Sequence, residues 1–290
     1  MKRCLSCATQ YSSQLEQCSA CDTAPPIQNG YPLYAPEFIN DSSGFKSTLF
    51  ADLAQHEEAN FWFRSRNSLI MWSINKYCPE MKSFLEIGCG TGYVLSGISK
   101  NFSKTSLSGS EIFSAGLAFA NKRVPEAKLM QMDAQNIPFI EEFEAIGAFD
   151  VIEHIQNDKI VLKQIHAALK PGGYLFVTVP QHKWLWSAVD EYACHVRRYE
   201  ATELHDAITS SGFKLVRSTS FITSLLPAML VSRLLSKNKK VEELDPMAEL
   251  KISPFLNYIF FQILQIEIWL IRVGFNFSLG GSRLVVAEKI

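Results

Sequence analysis

Three glycines spaced by single residues, Gly88, Gly90 and Gly92, follow directly on the apolar run Phe84-Leu85-Glu86-Ile87. Lacking Cβ atoms, they let backbone amides approach a bulky ligand that side chains would hold away. A dinucleotide fingerprint sets its third glycine three residues after the second, but here it comes after two, and position 93 is Tyr. That spacing disfavours NAD. The competing reading is a tight strand-to-helix turn that binds nothing. Downstream carboxylates favour a ligand: Glu111 lies 21 residues after Gly90, and Asp133 closes the next apolar segment.

A second chemistry is written near the start. Cys4-x-x-Cys7 and Cys18-x-x-Cys21 are separated by ten residues, which fits one tetrahedral thiolate site with a knuckle from each pair, as in zinc ribbons. Structural Zn2+ is the expected occupant, against the alternative of independent thiol pairs. A thioredoxin-type redox motif fits less well, since no strand-helix unit surrounds either pair. The opening Met-Lys-Arg-Cys-Leu-Ser-Cys has no apolar run, so neither a signal peptide nor an anchor is expected there. The expected compartment is the cytosol, where Cys78, Cys89 and Cys194 are thiols.

The chain that must position these groups has 290 residues, 47% hydrophobic, with a formal net charge of −1. One large α/β core with an appendage is affordable at that length, and disorder is not expected. A near-neutral balance supplies no broad basic field for phosphate backbones, which makes nucleic acid a weak partner. Residues 1–25 are polar and form the ribbon segment; residues 26–47, with Pro25, Pro26, Asn29, Gly30 and Pro32 at their start, read as a linker. Residues 48–290 form the main domain. Helical spacing over 48–76, through Leu49, Leu53, Phe61, Leu69, Trp72 and Ile74, predicts one or two leading helices. Strands are expected from residue 84, then at 107–111, 128–133, 143–151, 174–179, 213–218 and 282–287, alternating with helices that include 158–169 and 202–211. Lys170-Pro171-Gly172-Gly173 is expected to end the first of those two helices. The pattern is a seven-stranded doubly wound α/β sheet with right-handed crossovers.

Glu86 ahead of Gly88-Cys89-Gly90-Thr91-Gly92 resembles motif I of the class I S-adenosylmethionine (SAM)-dependent methyltransferases. The resemblance runs in order over residues 84–180, through Glu111-Ile112, Met132-Asp133-Ala134, Phe149-Asp150-Val151-Ile152-Glu153-His154-Ile155 and Leu169-Lys170-Pro171-Gly172-Gly173. It implies a Rossmann-like fold with SAM held at Glu86, Gly88, Cys89, Gly90, Gly92, Glu111, Ile112, Asp133, Ala134 and Asp150. Glu86 would meet the methionine end, Glu111 the ribose hydroxyls and Asp133 the adenine amino group. In open α/β sheets such ligands sit beyond the carboxyl ends of the strands.

The acceptor side is carried by two segments. His154 follows the fourth strand, and the cluster Gln181-His182-Lys183-Trp184-Leu185-Trp186 to His195-Val196-Arg197-Arg198-Tyr199 follows the fifth. His154, His182 and His195 are the candidate catalytic bases, whose imidazoles titrate near neutral pH. Trp184, Trp186, Arg197, Arg198 and Tyr199 are the candidate acceptor-binding residues, the aromatics for ring stacking and the arginines for a phosphate or carboxylate. Each has a structural alternative: His154 as a loop tie, the Arg-Arg-Tyr element as a helix cap. The segment resembles one in bacterial methyltransferases encoded with polysaccharide and lipid-linked glycan enzymes. By resemblance to quinone O-methyltransferases, Asp150, Glu153 and His154 form a possible metal set.

Between the sixth and seventh strands lies a helical insertion, 219–280, where this superfamily usually has a short hairpin. It holds apolar segments at 221–235 and 255–273 and a Lys/Glu-rich bridge at 237–243. Its charge-free runs, 218–232 and 252–266, are each 15 residues, short of the roughly 18–20 needed to span a bilayer, so no spanning helix is expected. On a helical wheel Asn257, Gln262, Gln265 and Arg272 share one arc, and Glu267 alone breaks the apolar remainder. Membrane-surface contact, a homodimer seam through 219–275, an acceptor pocket and packing on its own domain all remain open. The expected function is methyl transfer from SAM to a small-molecule or lipid-linked acceptor of glycan or quinone type, at oxygen, in a cytoplasmic enzyme peripheral to the inner membrane face. The alternatives are a ribbon-guided rRNA or protein methyltransferase and a non-catalytic SAM or S-adenosylhomocysteine binder.

Overall fold

Apolar β-branched and aromatic residues fill the central strands because both faces of the sheet are covered. Leu175, Phe176, Val177 and Val179 are all fully buried. The computed structural model describes residues 1–38, 49–236 and 252–290. Seven strands form one sheet: β5 (Ser83–Ile87), β6 (Ser106–Glu111), β7 (Lys128–Gln131), β8 (Phe143–Phe149), β9 (Leu169–Pro180), β10 (Phe213–Phe221) and β11 (Ser282–Lys289). They are numbered after β1 (Lys2–Arg3), β2 (Gln10–Tyr11), β3 (Ile27–Gln28) and β4 (Tyr31–Pro32), which pair as two short hairpins. The spatial order is β10-β11-β9-β8-β5-β6-β7. Strand β11 runs antiparallel to both its neighbours, β10 and β9, and the other pairings in the sheet are parallel. The order reverses between β5 and β8, and a crevice opens at such a switch point.

Helices α1 (Leu49–His56) and α2 (Phe61–Tyr77) precede the sheet, followed by α3 (Tyr93–Asn101), α4 (Ser114–Arg123), α5 (Asp158–Ala168), α6 (Ala188–Tyr192) and α7 (Ala201–Thr209). Asn60 starts α2 by accepting a hydrogen bond from the Trp62 amide at 2.8 Å, satisfying one orphan donor of the first turn. One buried cluster, built on Leu85, Ile146, Val177 and the α5 residues Val161, Leu162 and Ile165, fills one side of the sheet. A second, with Phe84, Leu95, Ile98, Leu117 and Phe176, fills the other.

The structure corrects three expectations. Helix α5 ends at Ala168 before the Lys-Pro-Gly-Gly sequence, which belongs to β9 as an outward bulge. Leu169 pairs with Phe143 and Tyr174 with Ala145, leaving four residues between them unpaired, with Gly172 at φ +72, a left-handed conformation cheap only for glycine. The described part of the expected linker is docked: Leu33 bridges to Gln131 on β7, and the buried Gln131 side chain exchanges two hydrogen bonds with the Ala35 backbone, at 3.0 and 2.7 Å. Residues 39–47 of that linker, and the Lys/Glu-rich bridge at 237–243, lie outside the described residues.

The third correction concerns the insertion, which forms α8 (Leu226–Ser236) and α9 (Pro254–Arg272). Helix α9 has 19 residues and is, by length and composition alone, long and apolar enough to cross a membrane. The apolar stretch continues through Glu267 because that side chain turns inward, accepting hydrogen bonds from the Thr223 and Ser224 amides at 3.2 and 2.7 Å. Three residues of the polar arc of α9 also bond the protein, while Gln262 is exposed. Asn257 bonds Ala59 and Phe61, Gln265 bonds Ser65, and Arg272 bonds Ser68. Phe255, Tyr258, Ile266, Trp269 and Val273 are left exposed.

Candidate functional site

Strand β5 delivers the glycine turn to the switch point, and its three glycines serve two purposes. Gly88 and Gly92 have φ +66 and +76, and a Cβ on them would fall 2.5 Å from a Val151 methyl and 2.8 Å from the Ala120 Cα. They are glycines so that β8 and α4 can pack close. Gly90 is different: at φ +51, its Cβ would meet only a Phe50 ring carbon, at 3.8 Å. Backbone is therefore bare on the side where a ligand would approach. Cys89 is spent on the turn itself. Its amide donates to Ser110 O at 2.9 Å, its carbonyl accepts from Gly92, and its thiol is buried, so no free polar group of Cys89 faces the crevice.

Carboxylates ring that bare surface. Glu111, at the end of β6, accepts from the Gly90 amide at 3.0 Å and from the Phe113 amide at 3.2 Å, through different oxygens. Each oxygen keeps a lone pair for a further donor. Burial raises its pKa despite those amides. Glu86 is 3% exposed, and its Oε2 has no hydrogen-bond partner among the described residues. Desolvation, opposed by Arg66 and reinforced by Glu57 and Glu111, pushes Glu86 up to about 8. A buried carboxyl oxygen with no donor is an unfilled valence for a ligand ammonium or hydroxyl. Ile112 is half-buried and gives its carbonyl to Gln131 at 3.1 Å. Asp133 is half-buried and accepts from the Gln135 amide at 2.9 Å, beside the buried Ala134. Asp150 sits at φ +57 and is held by an ion pair with Arg66 at 2.7 Å.

Several residues that hold this rim were not visible in the sequence pattern. Thr91 donates to Glu57 at 2.6 to 2.8 Å, and Arg123 joins both while also bonding Ala54 O at 3.0 Å. That buried triad clamps the segment after α1 onto the glycine turn. The Phe50 ring lies against Gly90 and Gly116. Arg66, on α2, ties Asp150 and the Phe149 carbonyl. Only Thr91 stood inside a recognisable motif.

Beyond β9, Asp190 organises the acceptor loop. Its carboxylate receives His195 Nδ1 at 3.0 Å, Arg198 Nε at 2.7 Å, Arg233 at 3.4 Å and the Ser187 amide at 2.9 Å. Burial opposes ionisation there, yet the His195 hydrogen bond with Arg198 and Arg233 holds the carboxyl at about 2. Arg198 is 6% exposed and also donates to Gln181 O at 3.0 Å. Tyr199 is 3% exposed and donates to Asp158 at 2.6 Å. Arg197 pairs with Asp158 at 2.8 Å and Gln156 O at 2.7 Å. These three residues knit the loop together, Arg198 and Tyr199 nearly enclosed, and all three line one cavity with Lys183 and Glu203. Trp184 and Trp186 are exposed, Trp184 with one face on His182 and Trp186 donating to Glu191 at 3.3 Å.

The three histidines separate into two places. His182, at φ +64, pairs with Glu200 at 3.1 Å and stacks under Trp184. His154 and His195 meet edge to face, ring centroids 4.8 Å apart, beside Glu153. Desolvation, with the neighbouring His195, lowers His154 to about 4, so it is neutral at physiological pH. At the other end of the chain the sulfurs of Cys4, Cys7, Cys18 and Cys21 all lie within 4.8 Å of one another. The two knuckles repeat one backbone shape: Ala8 and Asp22, each following its second cysteine, have φ +62 and +55 and donate back to Cys4 O and Cys18 O, both at 2.9 Å. The Thr9 hydroxyl and amide pull the Cys7 thiol down to about 6, toward the thiolate a metal binds.

Comparison with known proteins follows the same outline. A family model described as a methyltransferase domain matches residues 54–218. A probable S-adenosylmethionine-dependent methyltransferase of Mycolicibacterium smegmatis is 25% identical over 164 residues, 54% of this chain and 61% of its own. A fatty-acid O-methyltransferase of the same organism is 29% identical over 102 residues, 34% of this chain and 37% of its own. The chain thus spans between about a third and three fifths of the curated relatives' length. Among solved structures, Haemonchus contortus phosphoethanolamine N-methyltransferase 2 in complex with S-adenosyl-L-methionine is similar with a TM-score of 0.50 at 18% identity, over 74% of this chain and 51% of that one. At that identity the likeness speaks for the fold.

Proposed function

This chain belongs to the methyltransferase-domain family, and from that premise we propose that it transfers a methyl group from SAM to an oxygen of a small or lipid-linked acceptor. The carrying observation is the pairing of a bare Gly90 with two buried carboxylates, Glu111 bonded to its amide and Glu86 without a partner. These residues fit the cofactor: Glu86 Oε2 would accept from the ammonium, Glu111 from the ribose hydroxyls, and Asp133 with Ala134 would read the adenine edge. When bound, SAM supplies a methyl carbon activated by its sulfonium, so the protein's main task is to hold the acceptor oxygen in line with it. His154 and His195 serve the acceptor side. His182 serves its loop through Glu200.

The acceptor class is read from α9, whose exposed Phe255, Tyr258, Ile266, Trp269 and Val273 make an apolar, aromatic-bearing stripe suited to the interface of a membrane. The enzyme would work in the cytoplasm, peripheral to the bilayer that holds its acceptor. The four-cysteine ribbon fits a structural Zn2+, by sulfur count and mutual spacing. Isothermal titration with SAM tests the central reading: one site per chain is expected, weakened at least tenfold by Glu111→Ala and abolished by Gly90→Val. Absence of SAM binding in the parent chain overturns it.

A further inference from the structure

Glu153 is fully buried, and neither of its carboxylate oxygens has a hydrogen-bond partner among the described residues. A carboxyl removed from water with nothing to accept from is costly, and the groups around it show what would relieve that cost. Glu153 and His154 sit on the short turn Ile152–His154 after β8. His195 arrives from the loop after α6, fixed there by the Val196 amide donating to Glu153 O at 2.9 Å. One ligand atom from each of the three lies within 4.8 Å of the others.

Both imidazoles are oriented through their Nδ1 atoms. His195 Nδ1 lies 3.0 Å from Asp190 Oδ1, and His154 Nδ1 lies 3.3 Å from the Cys194 carbonyl. With those nitrogens donating to oxygen, each Nε2 is left as an acceptor with a free lone pair. This arrangement, an outer oxygen fixing the tautomer of each histidine, is how proteins prepare imidazole for a cation. Arg66 holds Asp150 in an ion pair at 2.7 Å, so the sequence-expected set of Asp150, Glu153 and His154 is replaced by one that recruits the acceptor loop.

We propose that Glu153, His154 and His195 form a divalent transition-metal site between the β8 turn and the acceptor loop. Two imidazoles and one carboxylate suit zinc, iron, cobalt or manganese, and three protein ligands leave positions open. Resting on the methyltransferase reading, the open positions take the acceptor's hydroxyl oxygen. The cation lowers the pKa of that hydroxyl, whose proton passes to solvent, and the metal-held oxygen becomes the nucleophile. Neither histidine then acts as base.

Cobalt titration of the full-length, metal-stripped chain tests the site. Thiolate ligation at the ribbon gives sulfur-to-cobalt charge-transfer absorption that nitrogen and oxygen ligands lack. A second equivalent is expected, showing visible d–d bands without added charge transfer, with affinity at least tenfold weaker in Glu153→Gln and in His195→Gln and unchanged in Cys7→Ser. A parent chain that takes up only sulfur-bound cobalt overturns the site, as does a second equivalent unaltered in both variants. SAM titrated into the same samples separates the two ideas. SAM binding without the second equivalent removes the metal and leaves the methyltransferase; the second equivalent without SAM binding does the reverse.

Discussion

Glu86 is a carboxyl that the fold has buried ahead of its ligand, and its protonation records that. In the unfolded chain it titrates near 4.5; in the folded protein desolvation pushes it to about 8. Between those values the folded state holds the extra proton, so stability falls as pH rises through that window. Glu153, raised for the same reason and further by Asp150, adds to the slope. Glu86→Gln is therefore expected to leave the melting temperature near pH 5 unchanged. At pH 8 it should stabilise the cofactor-free protein by on the order of 1–3 kcal/mol, several degrees for a chain of this size. Melting curves across pH 5–8 check this, and a slope identical in parent and variant would refute it. Glu86 and Glu111 were legible beforehand because their distances from the glycines are local. Glu57 and Arg66 were not, since each acts on a group brought near only by folding.

Helix α9 shows how a correct pattern can leave open which face turns inward. Its wheel separated a polar arc from an apolar remainder, and the ordinary expectation buries the apolar side. Here Asn257, Gln265 and Arg272 point at α2, joined by Leu264, Ile268 and Ile271, and Glu267 seals the joint by capping the loop at Thr223 and Ser224. The partner for the polar arc, Ser65 and Ser68 on α2, lies about 200 residues away in the chain, and no periodicity announces it. Two opposite outcomes follow for substitutions on one helix. Glu267→Ala removes the acceptor of two part-buried amides and should cost about 1–3 kcal/mol in denaturant unfolding. The outward set Phe255→Ser, Ile266→Ser and Trp269→Ser should change stability by less than about 1 kcal/mol, since these side chains are already in water. The same triple variant should lose co-sedimentation with anionic phospholipid vesicles. Retained vesicle binding would remove the membrane from the account of this stripe.

A seven-stranded doubly wound sheet was expected from the alternation of strands and helices along the chain, but the assembly of the chain's beginning onto that sheet was not. Residues 33–35 run beside β7 and cover what would be an open sheet edge, a position proteins otherwise guard against association. Single-residue bridges and a two-residue hairpin carry no periodic signal, and the decisive contact is one glutamine side chain, Gln131. Two attachments of different strength result. The segment at 33–35 is fastened by Gln131 and buries Leu33 and Ala35. The ribbon before it buries as hydrophobics only Cys4, Tyr11 and Cys18, too little apolar surface to hold 20-odd residues together without a metal. The purified protein is accordingly expected to contain about one ribbon zinc per chain, absent from a Cys4→Ser/Cys21→Ser double variant. Chelation should accelerate amide exchange across residues 1–23, including the Arg3 amide bonded to Pro138 O. The Ala35 amide on Gln131 should stay protected, and SAM affinity should hold within about threefold, because nothing in the ribbon reaches Gly90, Glu86 or Glu111. Exchange measured by mass spectrometry beside SAM calorimetry decides it. Simultaneous loss of cofactor binding and ribbon protection would mean that the zinc segment is part of the catalytic fold and not an appendage fastened to its edge.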